Sequence, residues 1–522
     1  MFVKKLIPVL VAGLLAGVAV QSHAQEKMQW ITVGDAAYKQ LQKLAPKAIA
    51  KVSATIDSSA NTSGLVAKEK VHLVQVSEAQ MYALSAAVHK ELNRCGGFMF
   101  HPTEAAGRTA LAPKSSSSFA ANLAPSRPSY ALDNQTTVNA ILPTMQDSNI
   151  AQTINDLSSF VNRYYQTQGG VDSSAWLMQK WQSMAAGRSD ISVSQFTHAS
   201  WKQKSVILTI QGTDNGNEIV VLGGHLDSIN TNGTSETTRA PGADDDASGI
   251  ASMTEVLRAM VANGYKPRRT IKMMAYAAEE VGLRGSQEIA ASFAAANSNV
   301  VGVMQLDMTN YKGATNDIYL FTDYTDTTQT AFVANLIKTY LPTLKVGYDK
   351  CGYACSDHAS WYNKGYFTTM PFESSMSTSN PHIHTTNDTF ANSGNQAAHA
   401  LKFARMAAAF AIELGSDGAA LPSTDRTETF SGSLTRGAKK SFGPFRVGGG
   451  GTFKASTTGT GDIDLYSKNG AIPTTSSYGC KSDGSTSTES CTLTFTSNGN
   501  AYVLLYGYSA GNYNLTVTYK PQ

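Results

Sequence analysis

Acids and histidines recur in this 522-residue chain just past runs that read as buried strands. In order, GGHLDS holds His225 and Asp227, GADDDASG holds Asp245, AYAAEEVG holds Glu279 and Glu280, QLDM holds Asp307, and PHIHTT holds His384. Two imidazoles and several carboxylates, with no cysteine among them, suit a borderline divalent cation such as zinc bound through nitrogen and oxygen. The set is large enough for two ions about 3.5–4 Å apart that share one carboxylate. Asp245 would bridge, His225 and Asp307 would hold one ion, and Glu280 and His384 the other. Glu279 then stands spare beside a ligand, as the general base of a metal-assisted hydrolysis needs. Asp227, two residues after His225, can accept the other imidazole N–H and fix the tautomer. Singly, each residue has a plainer reading: a helix N-cap for any of Asp244 to Asp246, a solvated face for the Glu pair, a structural role for a strand-end histidine. The combination carries the weight.

The elements that must position these residues alternate from about 130 to 418. Ile150, Ile154, Leu157, Val161 and Tyr164 fall on one helical face. Ser205–Ile210 and Glu218–Leu222 read as strands, the second dense in Ile, Val and Leu as a buried strand is. A helix is predicted from Ala247 to Asn263, closed by Gly264 as its C′ residue. Thr270–Tyr276 and Val300–Leu306 are further strands. The succession predicts an α/β fold with a central, mostly parallel but mixed sheet flanked by helices. In such a fold the motifs lie at the carboxyl ends of strands, where chemistry is placed.

Bulk properties narrow the rest. A net charge of +3, with 42% hydrophobic and 16% charged residues, describes a lightly charged globular protein and gives no reason to expect nucleic acid or an anionic membrane as partner. Lys4 and Lys5 precede an apolar run from Leu6 to Val20, and Ser22-His23-Ala24 offers the small residues of a signal-peptidase site. Residues 1–24 are therefore expected to be a signal peptide and the protein to be secreted. Residues 25–129 hold none of the motifs and end in a Ser/Pro-rich stretch, Lys114 to Ser129, of linker composition; a pro-region is expected there. After 424, Gly448 to Gly451, many Thr and Ser, and alternating runs such as Tyr513, Leu515, Val517 and Tyr519 predict a small C-terminal β-sandwich over 424–522. Five cysteines in an exported chain suggest local disulfides Cys351–Cys355 and Cys480–Cys491, with Cys95 left over; unpaired buried cysteines are the alternative.

Residues 130–418 resemble the bacterial secreted leucyl aminopeptidases of the two-zinc, MH-clan metallopeptidases. The segments GGHLDS, APGADDDASGIA, AYAAEEVGLRGSQ, QLDMTNYKG, DYTD, CGYACSDHASW, MPFES and IHTT carry the resemblance. It implies a zinc exopeptidase fold, two Zn²⁺ on His225, Asp245, Glu280, Asp307 and His384 with Asp245 bridging, Glu279 as base, and a cis Asp245–Asp246 peptide. It also implies an apolar pocket for the first side chain, walled by Met308, Cys351, Tyr353, Cys355, Met370, Phe372 and Ile383. Met376 and Ser379 depart from the aromatic residues of that pattern. The C-terminal region resembles the bacterial prepeptidase C-terminal domain, and the segment before 130 resembles a pro-region in position.

The expected activity is removal of an N-terminal residue, Leu or another large hydrophobic, from peptides or protein N-termini, by a monomer whose other partner is its own pro-region. Tyr353 is placed to help stabilise the developing oxyanion. Rivals are a carboxypeptidase or glutaminyl cyclase of the same superfamily, or a non-catalytic secreted binding protein. A carboxypeptidase needs a cation facing the substrate carboxylate, and Arg284 is the nearest candidate.

Overall fold

The computed structural model describes residues 27–57, 68–92, 94, 96–112, 127–415 and 425–522. The signal peptide, Cys95 and nearly all of the Ser/Pro-rich stretch lie outside the described residues.

At the centre is an eight-stranded mixed sheet. Its heart is strand Asn215–His225, paired in parallel with Arg269–Tyr276 on one side and Asn299–Gln305 on the other. Thr368–Phe372 continues the parallel run, Ser205–Ile210 and Ile191–Phe196 pair antiparallel, and Ile318–Phe321 runs antiparallel to Thr368–Phe372 but parallel to the edge strand Val346–Asp349. Both faces are covered, so the central strands lack polar alternation. Val220 and Leu222 point into one cluster, under helices Ala247–Ala262 and Ala398–Gly415. Val221 points into the other, beneath helix Arg284–Ala295 and Trp361. The expected α/β architecture is present; three of the four expected strands match within one residue, and the central one extends to Asn215–His225. Helix Ala247–Ala262 ends as anticipated, with Gly264 at φ +64° donating its N–H to the Val261 carbonyl.

One element differs. The helix read through Tyr164 stops at Ser159. The Asn162 side chain turns the chain instead, donating to the carbonyls of Ser235 and Thr238 and accepting from the Tyr164 N–H and the Thr167 hydroxyl. Tyr164 is thereby freed to pack against the N-terminal unit.

That unit is a four-stranded antiparallel sheet, in the order 52–57, 68–77, 28–34, 98–101, with helices Asp35–Leu44 and Glu78–Leu92 against it. The C-terminal region is a sandwich of two four-stranded sheets. Tyr513, Leu515, Val517 and Tyr519 face its core, and the Cys480–Cys491 disulfide joins a strand of one sheet to a strand of the other. Cys351–Cys355 also forms. Among the described residues, no helix is long and apolar enough to cross a membrane.

Gly249 shows how tightly the sheet grips the site. A Cβ there would lie 2.2 Å from the Leu306 carbonyl oxygen and 2.4 Å from Asp246 Oδ1. Gly249→Ala is expected to destabilise the central unit by about 1–3 kcal/mol, seen as a lower thermal midpoint; an unchanged midpoint would contradict this packing.

Candidate metal centre and active site

Three strand ends, one helix start and one loop deliver the candidate residues to one place. His225 is the last residue of its strand, Glu279 and Glu280 follow Tyr276, and Asp307 follows Gln305. Asp245 precedes Asp246, the N-cap of helix Ala247–Ala262, across a cis peptide. His384 comes from a loop whose carbonyl is tied to the Thr231 N–H.

The five candidate ligands converge. His225 Nε2 lies 2.8 Å from Asp245 Oδ1 and 3.5 Å from Asp307 Oδ1. His384 Nε2 lies 3.1 Å from Asp245 Oδ2 and 2.9 Å from Glu280 Oε2. Asp245 thus faces both pairs, one oxygen to each. All five are buried, at 3% exposure or less. Yet Asp245 Oδ2, Glu280 Oε1, Asp307 Oδ1 and both His384 nitrogens have no hydrogen-bond partner. Buried polar atoms are seldom left unmet. Carboxylate and imidazole atoms that meet at a point, most of them without a hydrogen-bond partner, fit a divalent cation.

The acids just outside this group are committed to backbone amides. The Asp227 carboxylate accepts from the Glu279 and Glu280 N–H groups, at 2.9 and 3.2 Å. The sequence reading gave that carboxylate to the His225 ring; the Asp227 backbone carbonyl takes Nδ1 instead, at 3.0 Å, and the nearer carboxylate oxygen stands off at 3.7 Å. Asp246 lies close enough to His225 and Asp307 to be counted as a ligand. However, it accepts from the N–H groups of Gly249, Met308 and His225, so its oxygens are already engaged.

Two positioning residues escaped the sequence reading. Asp388 accepts from the Asp244 and Asp245 amides at 3.0 and 3.1 Å and holds the bridging segment from below. Arg163, fully buried, donates to the carbonyls of Leu157, Leu226, Pro241 and Gly242, binding strand end and loop together. A lone Arg in an apolar stretch, and an Asp four residues after His384, were the available signals. Ser356 also donates to Asp307 Oδ2, at 2.5 Å.

The electrostatics follow from burial. Burial pushes the Glu279 carboxyl well above its ordinary value, against the opposing pull of His225 and with help from Asp357, Glu280 and Asp307. Burial likewise raises Glu280 and Asp357, each to about 7. For His225 and His384 burial opposes the cation, but the surrounding carboxylates outweigh it and hold both well above the usual imidazole value. Asp245, despite burial, is held low by the two histidines.

Next to this group lies an apolar cluster. Met308, Cys351, Tyr353, Cys355, Met370, Phe372 and Ile383 come together, and the fold adds Phe321 and Met376. Arg284 is elsewhere: it donates to the Val281 carbonyl and Gln29, with Phe100 under its guanidinium.

Residues 205–411 match peptidase family M28 and residues 444–507 the bacterial pre-peptidase C-terminal domain. Leucine aminopeptidase 1 of Arthroderma otae is 39% identical over 294 residues, covering 53% of this chain and 76% of that protein. The chain belongs to peptidase family M28. The Penicillium rubens leucine aminopeptidase 1 is 40% identical over 293 residues, 52% of this chain and 74% of its own. Among solved structures, the M28 chain resembles the Legionella pneumophila LapA aminopeptidase, with a TM-score of 0.60, 29% identity, and coverage of 75% of this chain and 99% of that one. LapB from the same organism gives 0.58 and 29%, over 74% and 100%.

Two outcomes are expected. Asp388→Asn, which keeps the shape but removes the charge, should weaken divalent metal binding about 10–100-fold by equilibrium dialysis. For the metal-free protein, Glu280 and Asp357 titrate near 7 when folded and near 4 when unfolded. The folded state then binds more protons in that window, so the stability these two groups contribute is full below about pH 4 and is lost as pH rises to about 7.5. Metal should abolish that fall, because bound cations favour the ionised acids; parallel pH–Tm curves with and without metal would contradict it.

Proposed function

We propose that this chain, a metalloaminopeptidase of family M28, is secreted and removes a large hydrophobic N-terminal residue, Leu foremost, from peptides with two zinc ions and Glu279 as base. The observation that carries the reading is the convergence of unpaired atoms of Asp245, Glu280, Asp307 and His384 on His225, whose Nε2 faces Asp245 and Asp307, with Glu279 adjacent. The Asp227 bonds to adjacent amides orient Glu279 and Glu280 together, so one carboxylate can ligate while its neighbour stays free.

Zinc ions held here would polarise the scissile carbonyl, acidify the attacking water and accept the free α-amine as a ligand. Glu279 takes the proton from that water and returns it to the leaving amine. Tyr353, which lines the apolar cluster, offers its hydroxyl to the developing oxyanion. The cluster of Met308, Phe321, Met370, Phe372, Met376 and Ile383 excludes water around the first side chain and favours an apolar one. Each missing methylene of substrate should cost about 1–3 kcal/mol there. A carboxypeptidase reading loses support because Arg284 is spent on Gln29 and Phe100. Secretion rests on the basic-apolar-small pattern of residues 4–24.

The test uses protein cleaved between residues 113 and 126 and freed of its N-terminal unit. Leucine p-nitroanilide should be cleaved, its N-acetylated form should not, and chelation should abolish turnover until zinc is restored. Cleavage of the blocked substrate would overturn the aminopeptidase reading. Glu279→Gln should retain two zinc ions by elemental analysis yet lose about 10²–10⁴-fold in kcat; retained turnover would remove Glu279 from the mechanism.

A further inference from the structure

Helix Glu78–Leu92 of the N-terminal unit packs beside the turn that carries Glu279 and Glu280 and reaches His384. Its Met81, Leu84 and Val88 pack in one cluster with Tyr164, Ile229, Ala278 and Val281, the last two bracketing the Glu279–Glu280 pair. Tyr82 and Tyr164 join their hydroxyls at 2.5 Å. Elsewhere Gly34 abuts the Gly352 carbonyl so closely that a Cβ would come within 2.5 Å of it. The helix is therefore held on a defined footing.

From that footing it presents His89. The imidazole centroid sits 5.5 Å from that of His384, with the rings tilted by 36°. His89 Nδ1 is buried and has no hydrogen-bond partner. The other two described histidines of the unit are satisfied: His72 bonds Ser53 and Asp35, and His101 bonds Thr32. A buried imidazole nitrogen left unmet, on a ring against His384, has a chemical use that the other two lack, which is to bind the metal.

We infer that His89 is a sixth protein ligand, supplied by the N-terminal unit to the ion that His384, Glu280 and Asp245 hold. This rests on the two-metal reading above. With Asp245 shared, that ion has three ligands from the central unit and keeps a position open for substrate or water. His89 fills that position, so the intact chain is latent and the metal itself helps to lock the N-terminal unit in place. Release of the unit removes the ligand and opens the site.

The experiment uses the uncleaved chain loaded with Co²⁺, which accepts the same nitrogen and oxygen donors and is visible spectroscopically. Wild type is compared with His89→Phe, which keeps a ring against His384 but cannot ligate, and with His89→Gln as a second variant should the first fail to fold. Both should alter the visible Co²⁺ bands and give up one of two ions to a chromophoric chelator at least about ten-fold faster. Each should also hydrolyse leucine p-nitroanilide faster than wild type without cleavage of the chain. Unchanged bands and release rates in either variant, with the wild-type thermal midpoint retained, would overturn the assignment. Failure of wild type to bind two ions would instead overturn the two-metal reading, and this inference with it.

Discussion

Burying many carboxylates around one point is the constraint on which the rest of this structure depends. Asp227, Asp244, Asp245, Asp246, Glu279, Glu280, Asp307, Asp357, Glu373 and Asp388 are all buried, and Arg163 is the guanidinium buried among them. An uncompensated buried charge costs several kcal/mol, so each acid must find a donor. The solution is a division of labour. Asp227, Asp246, Asp388, Asp244 and Glu373 accept from backbone amides of neighbouring loops. These bonds tie the strand ends to one another. Asp245, Glu280 and Asp307 keep oxygens without such partners, and those atoms face inward.

The same anchoring supports backbone that would otherwise relax. Ala278, Leu283, Met308 and His384 all have positive φ, between 57° and 61°. Left-handed conformations of non-glycine residues cost of order 1–3 kcal/mol each and persist where the surroundings over-determine them. Here they flank or include Glu279, Glu280, Asp307 and His384. A turn in that conformation reverses the chain within one residue, which lets consecutive side chains such as Asp307 and Met308 serve the metal-ligand group and the apolar pocket respectively.

The two outer units meet opposite ends of the central sheet. The N-terminal unit packs on the turn around Glu279 and Glu280. The C-terminal sandwich touches the chain where the central strand begins: Arg446 donates to the Asn217 carbonyl, and Asn217 to Gln522. His225, at the far end of that strand and eight residues on from Asn217, lies about 26 Å away at roughly 3.3 Å per residue. The sandwich thus contacts the sheet away from the candidate site, and the N-terminal unit contacts it beside that site.

Much of the fold and of the candidate site was legible in the residues themselves. Unbroken apolar runs such as Val220-Val221-Leu222 have to be buried on both faces, and the acids that end them can then lie only at a strand's carboxyl edge. Glycine at 264 and the alternation from Tyr513 to Tyr519 are local signals with local causes, and they were readable for that reason. What only the tertiary structure decided are the pairings between distant segments. Asp227 spends its carboxylate on amides 52 and 53 residues away rather than on the ring two residues before it. Asp388 reaches Asp244 and Asp245 across more than 140 residues, Arg163 collects carbonyls from a helix, a strand end and a loop, and His89 arrives at His384 from a separate unit. No periodicity encodes such contacts, because a hydrogen bond depends on position in space and sequence spacing does not report it. The residue types determined which chemistry this protein can perform, and the packing of its units decided which of its polar groups are free to perform it.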